Sequence, residues 1–308
     1  MKIIIQRGVT IPFSELPQYA LALDGYVQGP AVDVEHYKYS FDHHAGCIRL
    51  VTKATCAQVF DALALGLNPR KYTAYLNDID ADTVLAVWLL QHPNLIQDPL
   101  IQDLVNDVGN IDAHGPSYFP YIKDPEMCQQ FFKGVMAPES RARKTGFYSQ
   151  INLEKLLFTC LGRTNRLLLK KLRFSIPREK RCNSYQITHR GTGWVMVHCS
   201  ERVFGAMYKE GYSRVVSYHD VEATGDDGTM ESSHAYTIAK QSDLVQNFNI
   251  PYILEHLHDI ESGWGGGSSI GGAPRRENGS RSFLKPDQIF DYIEKMVKAG
   301  FPWNSCFL

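Results

Sequence analysis

The sequence predicts an α/β protein in two domains, the first a mainly parallel sheet with helices on both faces and the second a smaller mixed α/β unit. Three observations support this. From the start to about residue 120, short apolar runs bounded by acidic or glycine-rich turns alternate with helix-like stretches. After Gly193, the strand-like segments WVMVHCS, RVVSYHDVEA and AYTIAKQ are interleaved with helical ones. A chain of 308 residues is also long enough for two domains that each bury a core.

Thr55 to Leu67 carries apolar residues at helical spacing, and Asp82 to Leu90 continues as a second helix after an acidic turn. From Pro116 to Thr192 the pattern gives one clear helix, near Leu153 to Leu161. A basic run from Arg163 through Arg166, Lys170 and Lys171 to Arg173, Arg178, Lys180 and Arg181 follows, which reads either as a solvated linker helix or as a phosphate-facing surface. The second domain is expected to hold a helix from Arg202 to Glu210, a tight turn at Gly225 to Gly228 and a helix from Pro251. The glycine-rich GWGGGSSIGGAPR comes next, with Trp264 as core or stacking surface, and then a last helix opened by Pro286 and closed by Gly300. The expected bounds are 1–150 for a metal-binding domain, 151–192 for a basic helical linker and 193–308 for a substrate-binding domain.

Hydrophobic residues at 44% and charged residues at 21% match soluble globular proteins and exclude a disordered chain. A formal net charge of -1 gives no whole-molecule attraction to nucleic acid, so any cationic site must come from local clustering. The longest apolar run, VLAVWLL from Val84, is too short to cross a bilayer, and MKIII is too short for a signal-peptide core. A cytoplasmic protein with no membrane partner is therefore expected, and a homodimer is compatible with the sequence. Seven Cys without a C-x-x-C pair fit reduced thiols rather than a disulfide framework or structural zinc.

The chemistry concentrates in three acidic clusters: FDHHAG at Phe41 to Gly46, NDIDADT at Asn77 to Thr83, and NDVGNIDAHG at Asn106 to Gly115. Each reads as a strand end, where an open α/β sheet gathers its ligands. Carboxylates crowded there repel one another and are costly to desolvate unless a cation lies among them. A helix cap explains one of Asp78, Asp80 and Asp82 but not three at alternate positions. An Asx turn explains Asp107 and Asp112 without function. The candidate ligands are Asp42, His43, Asp78, Asp80, Asp82, Asp107 and Asp112, and either Asp24 or Asp33 could add a further carboxylate. Many carboxylates with one or two imidazoles and no thiolate suit manganese first and magnesium second. Their number suits two divalent ions, which together acidify a shared water and clamp phosphate oxygens.

FDHHAG, with Asp42, His43 and His44, resembles the signature triplet of the DHH phosphoesterase superfamily. The run from Asp78 to Asp82 is similar to that superfamily's first acidic motif, as found in its single-strand exonuclease branch, and Asp107 or Asp112 resembles its last metal-binding aspartate. GGGSSIGGAPR from Gly265 resembles the substrate loop of the DHH-associated C-terminal domain, preceded, as there, by a strand ending in Lys240 and Ser242. In the superfamily the D-x-D motif precedes the triplet, whereas here Asp42 precedes Asp80, and Ser268 or Ser269 replaces the usual His after the glycines.

The resemblance implies catalysis by His43, His44 and Asp80 with two bound metal ions. It also implies substrate contacts from His44, Lys240 and Ser242, from Gly266, Gly267, Ser268 and Ser269, and from Gly271, Gly272 and Arg275. The expected reaction is hydrolysis of phosphate esters of nucleotides or short oligonucleotides in an interdomain cleft. A pyrophosphatase or exopolyphosphatase would use the same ions, and a non-catalytic nucleotide- or nucleic-acid-binding regulator would keep the fold without turnover.

Overall fold

The computed structural model describes residues 1–44, 46–172, 185–200, 203–224 and 230–301. The chain divides into two compact units, Met1–Arg178 and Glu179–Leu308. Among the described residues it is α/β, with two mixed sheets, and neither sheet closes into a barrel.

The first unit opens with β1 (Lys2–Ile5), β2 (Ala20–Leu23), β3 (Ala31–Asp33) and β4 (Lys38–Phe41), followed by α1 (Thr55–Ala64) and β5 (Thr73–Leu76). Helices α2 (Ala81–Gln91), α3 (Pro99–His114), α4 (Pro125–Gln129), α5 (Ala137–Lys144) and α6 (Leu153–Leu172) complete it. The strands lie in the order β1-β5-β2-β4-β3, and every neighbouring pair is parallel except β3 on β4 at one edge. All four residues of β2 are buried. Because alternate side chains point to opposite faces, this strand is covered on both sides, and a continuous apolar run such as ALAL is what that position requires.

Helix α2 is buried throughout from Asp82 to Leu90, so it is an interior helix with no solvent face. It packs against α1, α3 and α6, and Trp88 Nε1 donates to Asn165 Oδ1 of α6 at 2.8 Å.

Two expectations are corrected here. The third acidic cluster is not a strand end but the second half of α3, which Asp98 caps and Pro99 opens. Asn and Gly weaken its helical signal, and Gly109 lies buried against Ala54, Cys56 and Ala57. Residues 153–172 are not a free linker but the 20-residue α6, which buries Leu153, Leu157, Leu161, Thr164 and Leu168 at helical spacing within the first unit. Arg173, Arg178, Lys180 and Arg181 lie outside the described residues.

The second unit contains β6 (Gln186–Arg190), β7 (Val195–His198), α7 (Phe204–Lys209), β8 (Arg214–Thr224), β9 (Met230–Lys240), α8 (Ile250–Ile260), β10 (Gly265–Gly266), β11 (Ile270–Gly272) and α9 (Pro286–Ala299). Its sheet runs β10-β11-β9-β8-β7-β6, with β7 and β8 the one parallel pair among the described strands. Arg202 and the Gly225–Gly228 turn lie outside the described residues. Trp264 belongs to the core, stacked on Tyr236 at 5.8 Å between ring centroids.

The glycine-rich segment is a hairpin. Gly267 N–H donates to the Ile270 carbonyl at 2.8 Å, closing the turn between β10 and β11. A Cβ on Gly266 would lie 2.3 Å from Gly271 Cα, one on Gly271 2.3 Å from Leu254 Cδ1, and one on Gly272 2.8 Å from the Tyr236 carbonyl oxygen. Close packing across the hairpin at Gly266, against α8 at Gly271 and against β9 at Gly272 therefore demands these three glycines, whereas a Cβ on Gly265 or Gly267 would meet nothing closer than 4.0 Å. Gly266→Ala should destabilise most, by the upper part of the about 1–3 kcal/mol typical of overpacking, because backbone stands in its way. Gly271→Ala should cost less, since its closest obstacle is a Leu tip that can move and the Gly265 carbonyl stands farther off at 2.9 Å, and Gly267→Ala little. Thermal and urea unfolding of the full chain measures the order.

Candidate metal centre

Strand order places the site. β2 lies between β5 and β4, all three parallel, so their carboxyl ends come out side by side. Asp24 follows β2, the triplet Asp42, His43 and His44 follows β4, and Asp80 follows β5 after a short turn. Asp82 sits in the first turn of α2, and Asp112 arrives from α3.

His43 is the centre of the cluster and is fully buried. Its Nε2 lies 2.8 Å from Asp112 Oδ2, 3.5 Å from Asp24 Oδ1 and 3.6 Å from Asp82 Oδ2. Yet neither ring nitrogen of His43 makes a hydrogen bond. The distances are close and the directions are wrong, so a buried polar ring is left without a proper partner, at a cost that folded proteins seldom bear.

The carboxylates are held by the backbone and by two threonines. Ala54, at the N-cap of α1, has no capping side chain, and Asp82 takes that role from outside: it accepts Thr55 N–H at 2.8 Å and Cys56 N–H at 2.7 Å. Asp80 caps its own helix, accepting Thr83 N–H at 2.8 Å. Asp42 accepts Gly29 N–H at 2.7 Å and His44 N–H at 3.1 Å. The Asp24 carboxylate accepts from Thr55 Oγ1 and is met by Thr83 Oγ1, each at 3.0 Å. Thr83 Oγ1 also lies 2.8 Å from Asp80 Oδ1. A hydroxyl has one proton to donate, so it cannot serve Asp24 and Asp80 together while both are ionised.

Burial, and after it the charges of Asp24, Asp82 and Asp112, push Asp80 well above the ordinary carboxylate range. Burial with Asp24 and Asp112 raises Asp82 to about 7. His43 is raised to about 10: burial works against its charge, but contact with Asp112 and Asp24 and the field of Asp82 outweigh it. Asp24 is lowered despite burial, chiefly by His43 and His44, and Asp42 is lowered despite burial by His44 and by the Gly29 N–H. Without a cation, the cluster thus keeps its carboxylates together by holding protons on its most crowded members.

Two overlapping groups of donors could each hold a metal ion: Asp24, His43 and His44, and His43, Asp82 and Asp112, with ligand atoms within 4.8 Å of one another in each. The unpartnered His43 ring and the excess of carboxylates fit a cation. Hard oxygen donors dominate the set, and the described cysteines offer no thiolate to it.

Of the predicted ligands, His43, Asp82 and Asp112 fall in these groups; Asp42 touches His44 of the first group, and Asp80 is linked to Asp24 through the Thr83 hydroxyl. Two predicted ligands are placed elsewhere. Asp78 is half exposed, accepts from Tyr148 Oη at 2.6 Å and pairs with Arg143 at 3.2 Å, because the turn after β5 sends it away from Asp80. Asp107 is buried on another side of α3 and accepts the N–H groups of Lys123 and Asp124 at 3.0 and 2.9 Å, which organises the entry to α4. Asp24 is the ligand that the primary candidate set lacked. Its signal is the one that marks Asp42, an apolar strand run ending in Asp. Asp33, the other loop carboxylate considered, lies at the exposed sheet edge and engages His36 at 2.9 Å.

Of the predicted substrate residues, His44 belongs to the first unit, and Lys240, Ser268 and Ser269 meet at the turn of the hairpin in the second. Lys240 Nζ lies 3.2 Å from Asp243 Oδ1, and Ser268 Oγ donates to Asp243 Oδ2 at 2.9 Å. Lys240 N–H donates to the Ser269 carbonyl at 2.9 Å, Ser242 Oγ accepts Leu244 N–H at 3.1 Å, and Arg275 is exposed.

The chain matches no protein-family model, no curated protein and no solved structure.

The placement of each aspartate has a direct consequence for cation binding. Asp24→Asn or Asp112→Asn should sharply reduce the rise in melting temperature caused by manganese. Asp78→Asn should leave that rise intact, and Asp107→Asn should lower the melting temperature with and without metal. Differential scanning fluorimetry of the four variants reads this.

A pH dependence follows from the same cluster. His43 (6.5 to about 10) and Asp82 (3.8 to about 7) both have folded-state pKa values above their unfolded ones. Their stabilisation is complete below the unfolded values and is lost as pH rises, between about 4 and 7 for Asp82 and between about 6.5 and 10 for His43. A bound cation would take the place of those protons. The magnesium-induced rise in melting temperature should therefore grow from about pH 6 to about pH 8, and a flat or falling dependence counts against ligation at His43 and Asp82.

Proposed function

We propose that this chain is a metal-dependent phosphoesterase of the DHH type, hydrolysing phosphate esters of nucleotides or short oligonucleotides with two divalent ions, manganese or magnesium. The observation that carries the proposal is the convergence of Asp24, Asp82 and Asp112 on the buried imidazole of His43, beside the carboxyl ends of adjacent parallel strands. His43 Nε2, with its single lone pair, would serve one ion, and carboxylates with two oxygens each, Asp24 and Asp82 among them, would extend the set to a second.

Asp24, Asp82, Asp112 and His43 would hold the ions, with Asp42 and Asp80 beside them. When bound, divalent cations supply Lewis acidity, lowering the pKa of coordinated water and offsetting charge on phosphoryl oxygens. The protein's own groups supply position. Asp82 is fixed by two N–H groups of α1, and Asp80 by the first turn of α2, so neither carboxylate needs to reorganise.

His44 is suited to touch substrate. Its side chain is 40% exposed, and its Nδ1 lies 3.0 Å from Asp42 and 3.3 Å from Asp24. Those carboxylates orient the ring and raise its pKa, which leaves Nε2 for a phosphoryl oxygen or a leaving group.

Purified protein with manganese should release product from nucleotide or oligonucleotide phosphate esters. Asp42→Asn and Asp80→Asn should each lower kcat at least about a hundredfold while leaving the metal-free protein folded. A screen that includes pyrophosphate and polyphosphate separates this activity from hydrolysis of inorganic phosphate chains. Absence of turnover on every phosphate ester, with manganese bound, defeats the proposal.

A further inference from the structure

Away from its strand ends the first unit carries the opposite charge. Between residues 126 and 172 stand nine Lys and Arg against three Glu and no Asp. Four of those cations, Arg163, Arg166, Lys170 and Lys171, line a groove of about 680 Å³ between α6 and the π-helical turn Gln130–Val135. The spacing of three and four residues puts Arg163, Arg166 and Lys170 on one face of α6, where like charges repel, and Lys171 follows at the edge of that face.

Little inside the unit relieves that repulsion. Arg163 donates to the Gly134 carbonyl at 2.8 Å, which fixes the arginine without neutralising it. Lys171 lies 3.9 Å from Glu126, an acid that is 75% exposed. Arg166 and Lys170 are exposed, and among the described residues neither forms an ion pair. The groove also includes Leu167 and Val135, so it offers apolar surface between its cations.

We infer that this groove docks the sugar–phosphate backbone of a single-stranded nucleic acid, an inference that rests on the phosphoesterase reading only for its link to turnover. Successive phosphates of a strand match cations repeated along a helix face, and such contacts hold a strand without reading its sequence. The apolar side chains have a use against sugars and base edges and none against an inorganic phosphate chain. The concave form of the site suits a strand better than a flat lipid surface. The substrate would then be a strand that extends beyond the nucleotide being cut, with α6 setting its position.

The test uses the full chain in EDTA and a fluorescein-labelled oligothymidylate of about 20 nucleotides, with binding read by anisotropy across a salt series. Arg166 and Lys170 are solvent-exposed, so the double variant R166E/K170E should melt as the wild type does. It should bind at least about tenfold more weakly, and its plot of log affinity against log salt should be shallower by about two, one phosphate contact for each lost cation. Equal binding by the variant overturns the inference. So does displacement of the strand by polyphosphate or polyglutamate at matched charge as readily as by unlabelled oligonucleotide. Because EDTA removes metal chemistry from this experiment, the two readings fail separately. A wild type that binds the strand through these residues but cleaves no ester retains the groove and loses the phosphoesterase, and one that cleaves esters while the variant binds equally well does the reverse.

Discussion

Three carboxylates on one buried imidazole, with Asp42 and Asp80 close by, are the constraint to which the first unit is built. Charges so close would drive the strand ends apart unless something offset them. Part of the offset is built in: two helix N-termini, the N–H groups of Thr55, Cys56 and Thr83, and two threonine hydroxyls all point at carboxylate oxygens. The remainder falls to protons on His43, Asp80 and Asp82, or to cations that replace them. Structural and ligating roles therefore coincide. Asp82 caps α1 with one lone pair on each oxygen and still turns one oxygen toward His43, so the capping and metal readings of this residue are not alternatives.

The same unit keeps its cations elsewhere. Among the described residues the ion pairs of Asp24, Asp42, Asp82 and Asp112 run to His43 and His44 and none to Lys or Arg, and Arg143, which reaches the acidic run, is held by Asp78 and Glu139. An ammonium or guanidinium among the ligands would compete with a divalent ion for the same oxygens. By turning outward, Asp78 supplies a partner for Arg143 at the edge of the site, so its departure from the cluster has a role of its own. The positive surface of α6 is then free to attract anions without disturbing the ligands.

Much of this site was legible in the sequence, because a parallel strand leaves a plain signature. An apolar run fully buried on both faces must end where the chain meets the ligand crevice, and a carboxylate at that point stands out, as Asp42 does after KYSF. The same logic extends to Asp24 after ALAL, but a lone Asp before Gly reads equally well as a turn. Between Asp78, Asp80 and Asp82 the choice depends on backbone angles in a short turn, which residue types alone do not fix. Asp107 and Asp112 could not be separated while their segment was read as a strand end. On a helix, five residues turn the side chain to a different side, and one carboxylate faces His43 while the other faces Lys123. The glycine hairpin is ambiguous for a related reason: glycine is required both where a phosphate approaches a backbone and where another strand does, and three of these glycines meet protein.

The order of motifs along the chain was the main discrepancy in the resemblance, and the sheet explains why it carries little chemical weight. A ligand set belongs to the order of strands in space. Here β2 stands between β4 and β5, so Asp24 lies between the triplet and the D-x-D run, although it precedes both in sequence. Asp24 reaches both sides at once, touching His44 and His43 through Oδ1 and Thr83 through Oδ2, and Thr83 in turn touches Asp80. The residue with the weakest sequence signal is thus the geometric link between the two strongest. Any rearrangement of the chain that kept these three strands parallel and adjacent would keep the cluster, whereas one that separated β2 from either neighbour would divide its donors into two halves.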